Sequence, residues 1–266
     1  MNDTTDRFAF GRNWANYLKS TGSTRLDAAV ASMKSLLDVE RLDGLTFLDA
    51  GSGSGLFSAA AHTLGAAVTS FDYDQDSVDC TRSMRPDGDM RWNIMQGSLL
   101  DATFMASLGT FDVVYCWGVA HHTGDMWHAL DAVAERSRGI LAISIYNDQG
   151  KPSRRWLLVK RLYTHYRWLR PLLVGGSWVR LWAVKFIQDI FAGKPLRSWR
   201  SNAGDHRGMS AWHDLIDWVG GYPFEVARPE EIFHFFRKRG FTLADMRTNA
   251  GGIGCNEYVF KRVSAA

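Results

Sequence analysis

Three glycines at alternate positions follow a short apolar stretch and one acid in the first quarter of the chain. The segment 47–55 reads Phe-Leu-Asp-Ala-Gly-Ser-Gly-Ser-Gly, so Asp49 precedes Gly51, Gly53 and Gly55. Glycine accepts positive φ angles and lets a ligand approach the backbone closely. Apolar residues before the turn predict a strand, and residues 56–64 after it predict a helix. A glycine turn in that setting binds nucleotide-like ligands through backbone N–H groups.

The spacing and charge of this turn discriminate between two kinds of cofactor. A dinucleotide fingerprint, G-x-G-x-x-G, would place its third glycine where Leu56 stands, one residue after Gly55. The carboxylate of Asp49 would repel a pyrophosphate and attract an ammonium group. The pattern therefore favours a ligand with an adenosine half and an amino-acid half over a dinucleotide.

At these residues the sequence resembles the class I S-adenosylmethionine-dependent methyltransferases, whose first motif reads much like Leu-Asp-Ala-Gly-Ser-Gly-Ser-Gly. The resemblance implies S-adenosyl-L-methionine as cofactor. It places Asp49 and the turn at the methionine half, and Asp72, at the end of the second strand, at the ribose hydroxyls. Asp72 could equally cap the next helix, with Asp74 as the other candidate for the cap. The cofactor-binding candidates in this region are Asp49, Gly51, Ser52, Gly53, Gly55, Asp72 and Tyr73.

The resemblance also implies contacts with the adenine. The family commonly carries an acid after the glycine of the segment Gln96-Gly97-Ser98-Leu99, but here the residue is Ser98. Ser98 and Leu99 are the candidates for the adenine site, and Trp117, at the end of the fourth strand, is a further cofactor contact. Asp101 could supply the missing acid or could cap the following helix.

Two histidines follow Trp117 in the segment Trp-Gly-Val-Ala-His-His-Thr. Here the resemblance narrows to the quinone-methylase-like branch, in which a histidine after this strand faces the methyl group. His122 is the predicted general base, since an ordinary histidine has a pKa near 6.5 and a general base contributes roughly 10²–10⁴ in rate. The alternative is a histidine that only satisfies loop carbonyls. His121 is the weaker candidate, and Tyr146 is predicted to line the acceptor side.

Strands and helices alternate regularly from about residue 41 to 150, which predicts an α/β fold with a doubly wound, mostly parallel sheet. Two late segments complete seven strands, and the resemblance implies that the last is antiparallel. The predicted strands are 45–49, 67–71, 90–95, 111–117, 140–146, 241–247 and 256–262. The predicted organisation is a helical lid over 1–40, a core over 41–150 and 226–266, and a helical insertion over 151–225 between strands five and six.

The N-terminal addition to the core is predicted to act as a lid. Residues 24–39 have helical apolar spacing, and Phe10, Asn13 and Trp14 ahead of them are candidates to cover the cofactor. Trp14 could instead only pack this segment onto the domain.

The insertion carries an unusual charge for this chain. Residues 151–210 hold thirteen Lys and Arg against two acids, and 151–225 hold seven tryptophans. Arginines suit carboxylate or phosphate groups, and apolar residues among cations are typical of membrane interfaces. The sequence therefore predicts an acidic small-molecule or lipid-linked acceptor, with peripheral membrane contact through 151–200. Nucleic acid is a remaining alternative, because bases stack on aromatic rings between cations; a solvated basic face is another.

The bulk composition excludes several classes of protein. A chain of 266 residues with 46% hydrophobic residues supports a packed core and not a disordered protein. Its three separated cysteines indicate reduced thiols and no metal site, and the sequence predicts a cytoplasmic protein. A nucleotide-cofactor oxidoreductase and a non-catalytic binding module are the rival functions. Whether oxygen, nitrogen or carbon is methylated, and the oligomeric state, are left open.

Overall fold

The computed structural model describes residues 24–193, 211–249, 252 and 254–263. Within them the chain divides into two compact units, one formed by the described residues of 24–153 and 224–263 and the other by those of 154–223. The first unit carries the sheet, and the second is helical.

The sheet has seven strands in the order β3-β2-β1-β4-β5-β7-β6. Neighbours among β1 to β5 pair in parallel, whereas β7 pairs antiparallel with both β5 and β6. This topology confirms the predicted α/β class with a mostly parallel sheet and an antiparallel last strand. The strands are β1 Thr46–Ala50, β2 Ala67–Asp72, β3 Trp92–Gln96, β4 Phe111–Trp117, β5 Ser137–Tyr146, β6 Phe241–Arg247 and β7 Cys255–Arg262.

Helices connect the strands of this unit, and aspartates begin several of them. The side chains of Asp74, Asp101 and Asp125 each accept a backbone N–H from the first turn of the helix that follows, which satisfies donors that have no partner within the helix. The helices are α1 Thr24–Leu37, α2 Leu56–Thr63, α3 Gln75–Met84, α4 Ala102–Ser107, α5 Met126–Arg136 and, after the second unit, α9 Pro229–Arg237.

Apolar side chains fill both faces of the sheet. One cluster joins β1, β4 and β5 to α5 and α9 through residues such as Leu130 and Phe236. The other contains Met33 and Leu37 of α1 packed with Phe47 of β1. Helix α1 is therefore part of the core layer, and a lid stays a prediction for residues 1–23, which lie outside the described part of the chain.

Strand β5 begins three residues earlier than its apolar pattern predicts, at Ser137 instead of Ile140. Helix α5 ends at Arg136, so the chain passes from helix to strand without a loop. Ser137 pairs with Phe111 ahead of an irregularity in the register of β4 and β5. The segment Ser137-Arg138-Gly139 has no apolar alternation, so the sequence pattern alone does not predict it as part of the strand.

The second unit consists of α6 Lys151–His165, whose first turn belongs to the core unit, a short 3-10 turn Arg167–Leu169, α7 Arg170–Phe191 and α8 Ala211–Gly220. Lys160 is buried in it, donates to the carbonyl oxygen of Trp218 and lies 4.7 Å from that indole ring. Trp156 meets the same ring at 5.3 Å. Part of the tryptophan content of this unit therefore serves internal packing, through Trp156 and Trp218. Among the helices described here, none combines the length and hydropathy needed to cross a membrane.

Candidate functional site

The first five strands of the sheet end at one edge, because all five run parallel. Ligands of open α/β sheets bind at this edge. β1, β2 and β3 end beside Asp49, at Asp72 and at Gln96, and β4 and β5 end at Trp117 and Tyr146. The topology therefore brings the predicted strand-end residues together.

The glycine turn after β1 is fixed to the end of β2 by hydrogen bonds. The backbone N–H groups of Gly51 and Ser52 donate to the carbonyl oxygen of Phe71 at 2.9 and 3.0 Å. Gly51, Gly53 and Gly55 all have positive φ angles, of 95°, 54° and 79°. Side chains rarely tolerate this conformation, so the alternating glycines are required by the turn itself.

Asp72 accepts hydrogen bonds on both of its carboxylate oxygens. Oδ2 accepts the N–H of Gly53 at 2.9 Å, and Oδ1 accepts the N–H of Asp74 at 2.9 Å. Asp74, and not Asp72, is the N-cap of α3, since its own carboxylate accepts the N–H of Asp76. A carboxylate has about four lone-pair positions, so Asp72 can still accept hydroxyl donors. Desolvation by burial raises its pKa, against the effect of these N–H donors.

Asp49 lies beneath the turn at the end of a buried chain of donors. Trp92 Nε1 donates to Ser70 Oγ at 2.8 Å, the hydroxyls of Ser70 and Ser58 are 2.7 Å apart, and Ser58 Oγ donates to Asp49 at 2.5 Å. All four side chains are buried. Burial raises the pKa of Asp49 to about 7, although the bond from Ser58 opposes the shift and the charge of Asp72 adds to it. The ionisation of Asp49 is therefore poised near neutral pH.

The loop after β4 lies against the glycine turn. A Cβ atom added to Gly51 would come within 2.4 Å of Val119 Cγ2, and the short 3-10 turn Ala120–His122 begins at the next residue. This contact places the loop that carries the two histidines beside the turn after β1.

The two histidines occupy different environments. His121 is buried, its ring centroid is 4.0 Å from that of Tyr146, and its Nδ1 accepts the backbone N–H of Tyr146 at 3.4 Å. His122 is only partly buried and meets the Tyr146 ring edge-on at 5.5 Å. The structure thus brings all three predicted catalytic residues together. The side chain of His121 is buried, and that of His122 is partly accessible to solvent.

Glu225, which follows the insertion in sequence, holds this loop. Its backbone N–H donates to the carbonyl oxygen of His121 at 3.0 Å, and its carboxylate accepts the N–H of Met126 at 3.0 Å, at the start of α5. Desolvation by burial raises the pKa of Glu225, partly offset by the N–H donors of Met126 and Gly124. Glu225 therefore holds the histidine loop at His121 and at its junction with α5.

The segment after β3 forms the remaining part of the edge. The ring of Phe104 packs over Gly97, where a Cβ would come within 2.1 Å of the ring. Ser98 Oγ accepts the N–H of Leu100 at 3.2 Å, while the side chain of Leu99 is buried in the core. Asp101 caps α4, because its side chain accepts the N–H groups of Thr103 and Phe104. Of the two roles predicted for Asp101, helix cap or adenine contact, the structure shows the cap.

The other predicted cofactor residues have varied placements. Ser52 is buried and its hydroxyl lies 2.8 Å from that of Thr81. Tyr73 is about half exposed beyond β2, and Trp117 stacks on Tyr115 at 5.2 Å. Trp14 lies outside the described residues.

Sequence reasoning missed three residues that support the site, namely Ser58, Ser70 and Glu225. An isolated serine on the apolar helix Leu56–Thr63 is a signal that could have revealed Ser58, because a buried hydroxyl needs a partner. In the parts of the chain that the structure describes, no three His, Cys, Asp or Glu side chains are grouped to hold a metal ion.

Comparison with known sequences connects the core unit to methyltransferases. The family whose description is "Methyltransferase domain" matches residues 48–141, which include the glycine turn. Ribosomal protein L11 methyltransferase from Helicobacter hepaticus is 33% identical over 88 residues, which are 33% of this chain and 27% of that protein. The matched region thus spans about a quarter of the relative's length.

Solved structures similar to this one cover most of the chain at low identity. Magnesium protoporphyrin IX methyltransferase from Synechocystis PCC 6803 with bound SAH has a TM-score of 0.54 at 16% identity, covering 94% of this chain and 93% of that one. A putative methyltransferase in complex with the Trm112 methyltransferase activator of Haloferax volcanii has a TM-score of 0.53 at 14% identity, with coverage of 98% and 99%. At these identities the likeness establishes the fold.

Proposed function

We propose that the chain is a class I S-adenosylmethionine-dependent methyltransferase that transfers a methyl group to a small or lipid-linked acidic acceptor, a proposal supported by the match of residues 48–141 to the family described as "Methyltransferase domain". The donor is S-adenosyl-L-methionine, and the accepting atom is an oxygen, nitrogen or carbon. One observation carries the proposal: three features share one edge of the sheet. They are the glycine turn, the carboxylate of Asp72, which accepts two backbone hydrogen bonds, and the partly buried His122.

The residues at this edge fit the proposed cofactor in chemical type. Asp72 retains lone pairs for the two ribose hydroxyls after accepting Gly53 and Asp74. The glycine turn and Asp49 supply a backbone surface and a carboxylate for the cationic methionine half. Ser98 and Leu99 follow the strand next to Asp72, which is where the adenine would be held. When bound, the cofactor supplies an electrophilic methyl group.

The chain's own contribution to the reaction is to hold the acceptor and to remove a proton. Positioning two reacting groups can replace much of the entropic barrier of a bimolecular reaction. His122, near the aromatic ring of Tyr146, is the proposed general base for a hydroxyl or ammonium proton. His121 is better suited to orient Tyr146, because it is buried and its Nδ1 already accepts the Tyr146 N–H.

The charge of the insertion supports an acidic acceptor. Residues 151–193 carry nine Lys and Arg against the single acid Asp189. Guanidinium groups pair with carboxylates and phosphates through two parallel hydrogen bonds. Methylation of nucleic acid is the alternative that the same charge favours, and its binding would weaken steeply with salt.

Two measurements test the proposal in sequence. Thermal unfolding with S-adenosyl-L-methionine and, separately, with NAD identifies the cofactor, since a ligand that binds only the native state raises the midpoint. Incubation with methyl-labelled cofactor and fractionated acidic small molecules, lipids and RNA then identifies the acceptor. We expect stabilisation by S-adenosyl-L-methionine alone and label in an acidic small-molecule or lipid fraction. Stabilisation by NAD alone would contradict the proposal, and cofactor binding with label in no fraction would favour a non-catalytic binding module.

A further inference from the structure

Helix α7 carries an exposed apolar stripe opposite its buried face. Val174 and Ser177 are buried, and residues about 180° from them on the helix are exposed. This stripe, called the α7 stripe below, consists of Leu172, Val179, Ala183, Phe186, Ile187 and Ile190. Its residues span about 27 Å at 1.5 Å per residue. An ordinary surface helix would carry polar residues on this side.

The exposure is large and contiguous. Phe186 and Ile190 are 46% and 51% exposed, one helical turn apart. At the other end of α7 the preceding turn adds Trp168, which is 72% exposed, and Tyr166. Monomeric soluble proteins rarely expose contiguous apolar patches of this extent unless the patch binds something.

Cations accompany the stripe. Arg180 is exposed beside Val179, and Arg154, Arg155, Arg161 and Arg167 are exposed in the same helical unit. Across residues 151–193 only Asp189 is acidic, and it is buried. The surface therefore combines aliphatic and aromatic groups with a strong positive charge.

This combination distinguishes between occupants. A second copy of the chain would bring two strongly basic surfaces together, and like charges at an interface are unfavourable. An anionic bilayer surface complements both features: apolar side chains enter the boundary between headgroups and acyl chains, arginines reach lipid phosphates, and Trp and Tyr favour that depth.

We propose that the α7 stripe, together with exposed arginines of the same helical unit, binds the surface of an anionic membrane, with α7 lying in the plane of the interface. The proposal is independent of methyl transfer, because membrane binding can be measured without an acceptor. Membrane binding is also a separate claim from the identity of the acceptor, since methylation of a soluble acidic acceptor would not require a membrane surface.

Sedimentation of the full chain with lipid vesicles tests the proposal. Vesicles of phosphatidylcholine alone are compared with vesicles that also contain phosphatidylglycerol, at low and high salt. The double variant Phe186→Ser/Ile190→Ser removes two large groups of the stripe. The control is Met90→Ser, which removes an apolar side chain that is 92% exposed in the other unit. We expect the double variant to weaken binding to the anionic vesicles by about tenfold or more, and the control to bind like wild type.

A second measurement uses the wild-type chain, so its result does not depend on whether the double variant folds. Brominated lipid in the anionic vesicles should quench part of the tryptophan fluorescence of the wild-type chain, and salt should reduce the effect. The proposal is overturned if wild type binds no anionic vesicle, if the double variant binds as well as wild type, or if a dimer of wild type becomes monomeric in the double variant. Binding of single-stranded oligonucleotides without vesicle binding would likewise overturn it.

Discussion

The backbone N–H of Gly53 donates to the carboxylate of Asp72 at 2.9 Å, so the turn after β1 and the end of β2 form one structural unit. The same carboxylate accepts Asp74 N–H on its other oxygen. In the proposed cofactor site, a ligand that contacts the glycines would meet the remaining lone pairs of Asp72. The hydrogen bond thus places an acid 19 residues away from Gly53 beside the glycine turn.

Replacement of Gly51 by Ala should separate backbone strain from steric conflict. Gly51 and Gly118 both have positive φ angles, of 95° and 75°, but only at Gly51 would the new Cβ meet Val119, at 2.4 Å; at Gly118 nothing lies within 4 Å. We expect Gly118→Ala to lower the free energy of unfolding by about 1–2 kcal/mol, and Gly51→Ala to lower it by about 1–3 kcal/mol more. Urea denaturation measures both. Equal losses would show that Val119 moves away without cost.

Removal of the Ser58 hydroxyl should disturb Asp49. Ser58→Ala leaves a buried carboxylate without its hydroxyl donor and Ser70 without one of its partners. We expect a loss of about 1–3 kcal/mol in the free energy of unfolding. The control Ser107→Ala removes an exposed hydroxyl that bonds the carbonyl of Phe104 and should change it by no more than about 0.5 kcal/mol. Similar stability of the two variants would argue against the buried chain of donors.

Asp49 should make stability depend on pH in a defined direction. Its pKa in the folded chain is about 7 against an ordinary 3.8, so between these values the folded state binds more protons than the unfolded state. The free energy of unfolding contributed by Asp49 therefore falls as pH rises from about 4 to about 8, roughly one unit above the folded pKa, and is constant at higher pH.

The variant Asp49→Asn isolates this effect. Relative to wild type, Asp49→Asn should gain stability as pH rises from about 4 to about 8, on the order of a few kcal/mol in total, since one pKa unit corresponds to about 1.4 kcal/mol. Denaturation at several pH values measures the difference. A difference that does not vary with pH would contradict the raised pKa.

Replacement of His122 should separate catalysis from cofactor binding. We expect His122→Ala to lower methyl transfer into the labelled acceptor fraction by about 10²- to 10⁴-fold, with the affinity for S-adenosyl-L-methionine near that of wild type. His128→Ala is the control, because His128 is exposed on α5 and should retain full turnover. Full activity of His122→Ala would exclude the histidine as the base.

Much of the core can be predicted from local sequence. The apolar runs, the glycine turn and the aspartates at helix starts are local signals, and together they are sufficient to predict the order of strands and helices. From the sequence, capping is only one of the possible roles of Asp74 and Asp101. The structure shows that both are helix caps, because the N–H groups that they accept belong to the first turns of α3 and α4.

The parts that could not be predicted depend on contacts between distant segments. Ser58 meets Ser70 only because the α2 helix packs against β2, and Glu225 reaches His121 across more than a hundred residues. The membership of α1 in the core layer likewise depends on packing against Phe47 and not on its own periodicity. A single sequence shows that such residues are polar or amphipathic but not which partner they will meet.

Equilibrium binding of S-adenosyl-L-methionine to wild type, Asp72→Ala and Asp74→Ala, measured by titration calorimetry, tests the central claim most directly. Both variants lose a carboxylate that bonds backbone N–H groups, and Asp74→Ala should lose only about 1 kcal/mol of stability with its helix cap. We predict saturable binding by wild type and Asp74→Ala and an affinity about 10- to 100-fold weaker for Asp72→Ala. No binding by wild type, or equal affinity in all three proteins, would contradict a cofactor site at the ends of β1 and β2.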